Sequence, residues 1–169
     1  MTVLSIFTVS CTKENLTPAH ENFFSVGTEI PVGLNIGIIE DYGLVNGVAR
    51  HLHTSFIDQG YILNTKTGVI SGTGSQLNLG FYSNEDGVIP NGTYDFSTSV
   101  TKVPFTFDSG YITENFNLGT QEGHMHQINS GTVIVFKDGE EYDFTFDCGL
   151  DFGSRLIGTF KGTMLYFDR

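Results

Sequence analysis

From Phe23 to the end of the chain, short runs of alternating apolar and polar residues are separated by Gly, Asn and Asp. In residues 75–82, Leu77, Leu79 and Phe81 fall on one phase of the alternation, and mostly polar residues fall on the other. Because successive side chains of a strand point to opposite faces, this pattern predicts a half-buried antiparallel strand. The same criterion predicts strands over residues 23–26, 29–32, 34–39, 49–57, 75–82, 93–97, 104–107, 111–115, 124–128, 131–136, 140–146 and 156–167.

The links between these runs have the composition of tight turns. Asp138 and Gly139 lie between two alternating runs and predict a hairpin, since such turns need residues with positive φ. The sequence Gly72-Thr73-Gly74-Ser75 predicts another turn. A series of short strands must close into a barrel or fold into two stacked sheets to protect its edges. We therefore predict an all-β fold, an antiparallel meander closed either as a lipocalin-like β-barrel or as a two-sheet β-sandwich.

Composition agrees with a single all-β domain. The chain has 169 residues, of which 21 are Gly, 15 are Phe and 7 are Tyr. Glycine disfavours helices, whereas aromatic residues favour strands and can fill a core. The formal net charge is −11, and such a surface repels the phosphates of nucleic acids, so we expect no nucleic-acid partner. We also expect a monomer.

The first eleven residues carry a separate signal. An apolar stretch from Val3 to Val9 is followed by Ser10 and Cys11, and the chain then turns polar. This stretch resembles the end of a bacterial lipoprotein signal peptide, which implies that Cys11 is acylated. The domains predicted on this basis are residues 1–10 as a signal-peptide remnant, 11–22 as a polar tether and 23–169 as the all-β domain. The alternative is a buried first strand with a chance cysteine.

Two further resemblances concern the bacterial group from which the protein comes and its location in the cell. Residues 12–15 resemble the short tag that directs lipoproteins of the Bacteroidota to the outer face of the outer membrane. Residues 91–96, 128–135, 142–147 and 156–168 are similar to a run found in uncharacterised secreted or lipid-anchored β proteins of the same group. The resemblance implies an outer-membrane, surface-exposed lipoprotein, with a periplasm-facing or secreted protein as the alternative. It implies no activity and no catalytic residues.

Two histidine pairs give the sharpest chemical hypothesis. His51 and His53 flank Leu52, and His124 and His126 flank Met125. On a strand, residues i and i+2 face the same side, so each pair presents two imidazoles together. Two such strands side by side would suit Zn²⁺ or Cu²⁺ as a cofactor. The alternative is that the histidines are outward polar positions of half-buried strands. His124 and His126, however, share a phase with Ile128, which would place that pair inward and the two pairs on opposite faces.

The other candidate groups favour binding over catalysis. Cys148 shares a phase with Phe144 and Phe146, which predicts a buried structural thiol. Acidic residues are numerous but form no familiar catalytic motif, so a hydrolase with an acidic cleft is kept as an alternative. Tyrosines that recur beside turns and strand ends would suit stacking on sugar faces; they are Tyr42, Tyr61, Tyr82, Tyr94 and Tyr111.

The function predicted from the sequence is a non-catalytic binding or structural module of the cell envelope. Its partner is predicted to be a small ligand, a glycan or a protein, bound through a barrel mouth or a sheet face. Metal binding through the histidine pairs and hydrolysis are the alternatives. A hollow barrel would favour a small ligand, whereas a filled barrel would favour contacts on the surface.

Overall fold

The computed structural model describes residues 21–169, in which all regular structure is β-strand. Eleven strands follow one another along the chain. Their bounds are β1 Phe23–Val26, β2 Val32–Gly33, β3 Ile36–Val45, β4 Ala49–Ile57, β5 Tyr61–Asn64, β6 Val69–Ser83, β7 Gly92–Phe96, β8 Thr106–Asn117, β9 Glu122–Asp138, β10 Glu141–Leu150 and β11 Arg155–Asp168. Among the described residues, no helix is long and apolar enough to cross a membrane.

Eight of these strands close into a barrel, in the order β3, β4, β6, β8, β7, β9, β10 and β11. The ring is completed where β11 pairs with β10 on one side and with β3 on the other. The short β1 and β2 extend the sheet beside β11, and β5 pairs only with β6. The all-β prediction is confirmed, and of its two forms the barrel is the one observed.

The barrel departs from a simple antiparallel meander at two places. β11 runs parallel to β3 over residues 164–168, and β7 runs parallel to β8 at two positions. The pairing of β11 with β3 is possible because β11 is long enough to pair with two different strands along one edge. Its beginning pairs with β1, and its end pairs with β3 and closes the ring.

Several strand boundaries differ from the sequence-based prediction. The stretches predicted separately at 104–107 and 111–115 form the single strand β8, and 124–128 and 131–136 form β9. The residues Gly72 to Ser75, predicted to be a turn, lie inside β6. Glycine is favoured there because the link between β4 and β5 passes close by: a Cβ on Gly74 would lie 2.3 Å from Oδ1 of Asp58. The predicted hairpin is confirmed, with Gly139 at φ 59°.

Aromatic side chains fill the interior of the barrel. Phe56 on β4 lies with its ring centroid 5.0 Å from each of three rings, those of Phe144, Phe146 and Phe160. Phe144 and Phe146 belong to β10, which is three strands away from β4 around the barrel. Rings from separate walls therefore touch across the axis, and side chains occupy the centre of the barrel at this level.

A second layer covers part of the outside of the barrel. The hairpin of β5 and the start of β6 folds back over the outer faces of β3 and β4. Tyr61 of this hairpin packs with Ile38 and Ile57 in a small apolar cluster of its own. The outer side of β6 is buried as well, which corrects the prediction of a half-buried strand: Asn78 is only 1% exposed. The candidate site described next lies on the outer face of the same part of the barrel.

Candidate functional site

The two histidine pairs lie on opposite faces of the sheet. His51 and His53 alternate with the buried Leu52, so they point outward from β4. His126 lies across from the buried Ile112 and shares the phase of the buried Ile128, so its pair belongs to the inward phase of β9. The sequence-based alternative that the pairs occupy opposite faces is thus the arrangement observed.

The structure does not bring the pairs together. β6 and β8 separate β4 from β9 around the barrel. Within residues 21–169, no group of three or more His, Cys, Asp or Glu side chains has the spacing of a metal site. His126 instead packs against Phe152, with ring centroids 4.3 Å apart, and its Nδ1 lies 3.8 Å from Asp151 Oδ1. Binding of Zn²⁺ or Cu²⁺ stays a prediction for titration to test.

The outward histidines belong to a polar surface that crosses four strands. Cross-strand register aligns His51 with Tyr82, His53 with Gly80, and Asn78 with Tyr111. We call this surface the tyrosine–histidine face; its members are Glu40 and Tyr42 from β3, His51 and His53 from β4, Asn78, Gly80 and Tyr82 from β6, and Asp108 and Tyr111 from β8.

Three of the five candidate tyrosines meet on this face. Tyr42 and Tyr82 sandwich the His51 ring, with centroid distances of 5.6 and 5.2 Å. Burial is the largest cause that raises the pKa of Tyr111, with smaller contributions from Tyr61, Glu40 and Tyr42. Tyr42 is 52% exposed and forms the outer surface of the stack. A partner molecule would therefore meet the Tyr42 ring first.

The other two candidate tyrosines have structural roles. Tyr94 is fully buried in the barrel and packs edge-to-face on Phe81. Tyr61 lies under the β5–β6 hairpin, where its hydroxyl donates to the Phe116 carbonyl at 3.0 Å. Neither ring is accessible to a ligand.

Gly80 leaves space for the His51 imidazole on the outer face of the sheet. A Cβ at this position would lie 2.8 Å from His51 Nε2 and 3.3 Å from Asp108 Oδ1. Such a contact is too short for real Cβ atoms, so any larger residue would push the imidazole off the face. The missing side chain leaves room for the His51 ring between its own strand and Asp108.

Two carboxylates frame the face, and each is held by a cation. Tyr82 donates to both oxygens of Asp108 at 3.1 Å, and Lys102 Nζ donates to Asp108 Oδ2 at 2.5 Å. On the other side, Arg169 Nε donates to Glu40 Oε1 at 2.8 Å. Glu40 Oε2 accepts a longer bond of 3.4 Å from the Tyr42 hydroxyl. The acids are thus positioned by hydrogen bonds from fixed directions.

Three side-chain nitrogens on this face are buried without a hydrogen-bond partner among residues 21–169. They are His51 Nε2, Asn78 Nδ2 and His53 Nδ1, of which the last lies 3.6 Å from Glu40 Oε2. Leaving such a group unsatisfied costs about 1–3 kcal/mol. Burial is the largest cause that lowers the pKa of both His51 and His53. The imidazoles are therefore neutral at pH 7, and each carries one donor nitrogen and one acceptor nitrogen.

Sequence reasoning identified only part of this face. It found His51, His53 and the tyrosines but did not single out Asn78 or Asp108. Alternation assigned Asn78 to an exposed side of β6, and no local signal marks a polar residue that another layer will bury. A cross-strand alignment of β4, β6 and β8 would have found both residues, but register is not readable from separate strands.

The remaining sequence-predicted groups fall elsewhere. Cys148 is buried in the barrel, as predicted, and burial raises the pKa of its thiol to about 12. That value makes it a poor nucleophile at neutral pH. Cys11, the predicted acylation site, lies outside the described residues.

No protein-family model, curated protein or solved structure matches this chain. The fold and the geometry of the tyrosine–histidine face are therefore the basis for assigning a function.

Proposed function

We propose that this protein is a non-catalytic binding module of the bacterial cell envelope, and that it binds a glycan on the tyrosine–histidine face. The observation that carries the proposal is the stack of Tyr42, His51 and Tyr82 on one outward surface, in which His51 Nε2 has no hydrogen-bond partner among the described residues. The outer surface of a barrel is normally stabilised by apolar packing or by polar groups that are paired with one another. Part of the tyrosine–histidine face has neither.

The filled interior supports a site on the outside. A barrel that holds a small ligand needs space along its axis, but here Phe56 and three other phenylalanines meet there. A small apolar ligand inside the barrel is thus disfavoured, and the surface option remains.

The chemistry of the face suits a molecule with many hydroxyl groups. Aromatic rings offer flat apolar surfaces for the C–H face of a sugar, and the tyrosine hydroxyls add polar contacts at the ring edge. The carboxylates of Glu40 and Asp108 accept hydrogen bonds, and neutral imidazoles both donate and accept. A hydroxyl also donates and accepts, so one sugar can satisfy both kinds of group.

The test is binding of the full-length protein to an array of plant, microbial and animal glycans, followed by calorimetry on the strongest hit. Tyr42→Ala removes the exposed ring of the stack and should weaken binding at least about tenfold. Tyr42→Phe keeps the ring and should retain most of the affinity. Phe136→Ala is the matched control, because Phe136 on β9 is 58% exposed, close to the 52% of Tyr42.

Other results would contradict the proposal. Equal losses for Tyr42→Ala and Phe136→Ala would show that the site lies elsewhere. A complete lack of glycan binding would favour a protein partner or a structural role. Turnover of a bound glycan would favour the hydrolase alternative, with Glu40 and Asp108 as the acids to replace first.

The cellular location of the module is part of the same proposal. The apolar stretch from Val3 to Val9, followed by Ser10 and Cys11, supports acylation of that cysteine, with residues 11–22 as a tether to the outer membrane. Mass spectrometry of the mature protein should find acyl chains on Cys11 at the N-terminus, and protease treatment of intact cells should remove the domain. A mature protein that keeps Met1 and an unmodified Cys11 would refute the anchor and leave the binding proposal untouched.

A further inference from the structure

We infer that the tyrosine–histidine face selects neutral glycans over glycans that carry carboxylate or sulfate groups. This inference rests on the proposed function and specifies its ligand class. It follows from how the charges of the face are paired, from the neutral histidines and from the charge of the whole chain.

The two cations that contact the face are already bound to its own acids. Lys102 lies 2.5 Å from Asp108 Oδ2, with both side chains mostly buried. Arg169 donates to Glu40 through two nitrogens. Recognition of an anionic sugar normally uses Arg or Lys in a direct, charge-assisted hydrogen bond. Here an anion would have to break an existing ion pair before it gained a cation.

The histidines do not supply a positive charge either. His51 is stacked between two tyrosine rings, and His53 is mostly covered. Burial disfavours the charged imidazolium in both, which lowers the pKa of each ring. At pH 7 they therefore interact with hydroxyl groups as neutral donors and acceptors.

The charge of the whole protein acts in the same direction. A formal net charge of −11 repels anionic polymers at long range, and this effect weakens as salt screens it. The acids of the face keep acceptor capacity that only a donor can use, and hydroxyl groups are donors. A neutral glycan satisfies these acceptors without introducing a like charge.

The experiment compares glycans that differ only in charge. Suitable probes are fully methyl-esterified and de-esterified oligogalacturonides, and sialylated and desialylated glycans of one complex type. They are presented to the full-length protein together with neutral hexose and pentose polymers on the same array. We expect binding among the neutral members only, with a change of less than about twofold between 50 and 200 mM salt, because no counterions are released.

A charge variant tests the local part of the explanation. Asp108→Asn keeps the shape of the side chain but frees Lys102, so it should raise binding of the anionic partner of the best neutral probe about fivefold. Asp143→Asn on β10 changes the net charge by the same amount away from the face and serves as the matched control. Circular dichroism and melting temperature check that both variants fold.

Each outcome has a separate meaning. Wild-type binding that is as strong for anionic as for neutral members overturns this inference while keeping the proposed function. Equal gains for Asp108→Asn and Asp143→Asn overturn the role of the paired cations and leave only the long-range repulsion. Absence of binding to every glycan overturns the proposed function itself.

Discussion

Replacing Phe56 by alanine tests the filled barrel on which the surface site depends. Phe56 is fully buried, and its ring meets those of Phe144, Phe146 and Phe160 at 5.0 Å each. These partners come from β10 and β11, so the mutation removes the contact that joins separate walls across the axis. No other buried ring has three such close aromatic partners among those of the described core.

The expected cost follows from the lost burial and the space left behind. Removal of a buried phenylalanine side chain costs about 3–5 kcal/mol, including the cavity term. Aromatic pairs contribute about 0.5–1.5 kcal/mol each beyond buried area, and three are lost here. The strands are hydrogen-bonded on both sides, which limits collapse into the space. We therefore expect a loss near the upper end of the range.

Urea unfolding followed by far-ultraviolet circular dichroism measures this loss by linear extrapolation. Phe136→Ala is the control, and its exposed position should keep its effect within about 0.5 kcal/mol. A loss below about 1 kcal/mol for Phe56→Ala would mean that the barrel axis is not filled in solution. A small ligand inside the barrel would then be favoured over a ligand on the tyrosine–histidine face.

Four other predictions follow from particular groups. Asp41→Asn should destabilise the fold by about 1–3 kcal/mol in urea, because the buried carboxylate accepts hydrogen bonds from Arg50, Tyr166 and the Gly43 amide, while Arg50 keeps its ion pair with Asp86. The free energy of unfolding should fall as the pH drops below about 6.5, because burial lowers the folded-state pKa of His51 and His53 and only the unfolded chain then binds the protons. In a His51→Gln/His53→Gln variant, the melting temperature should depend less on pH across this range. Cys148 should resist a thiol reagent until the protein is denatured, since burial raises its pKa to about 12. In a Zn²⁺ or Cu²⁺ titration, a histidine site requires that His53→Ala or His126→Ala weaken binding, and unchanged affinity in both variants would eliminate it.

The interior of the barrel was predictable because strand alternation is local. Along β10, Tyr142, Phe144, Phe146 and Cys148 fall on one phase in the sequence, and all of them are buried in the core. The hairpin before this strand was equally clear, since Gly139 supplies the positive φ that the turn requires. Both features depend on residues within a few positions of one another.

Closure of the barrel was only partly predictable. The pairing of β11 with β3 joins residues more than 120 positions apart. Alternation does not state which strand will be the neighbour or whether the pair will run parallel. The choice between barrel and sandwich depends on such pairings, so the sequence left both open.

The outer layer was hidden from sequence reasoning for a related reason. Gln76 and Asn78 are polar, and a polar phase normally faces water, yet both are buried. The β5–β6 hairpin begins the cover, and the missed strand β5 has only four residues. Its first three residues, Tyr61, Ile62 and Leu63, are all apolar, so the strand shows no alternation by which to recognise it. The candidate site was consequently found as separate histidines and tyrosines, without the register that joins them.

The contrast between the two faces of β4 supports a functional origin for the outer one. Inward, Leu52 and Phe56 join a core made almost entirely of apolar contacts, which stabilises the fold without polar cost. Outward, His51 and His53 are held among rings and acids with nitrogens that lack partners among the described residues. A buried polar group that stays without a partner costs about 1–3 kcal/mol, and apolar residues at the same positions would avoid that cost. Because the inward side chains of β4 already form a well-packed core, the imidazoles on its outward side are not needed for folding. The glycan that we propose as ligand would offer hydrogen bonds to these polar groups when it binds.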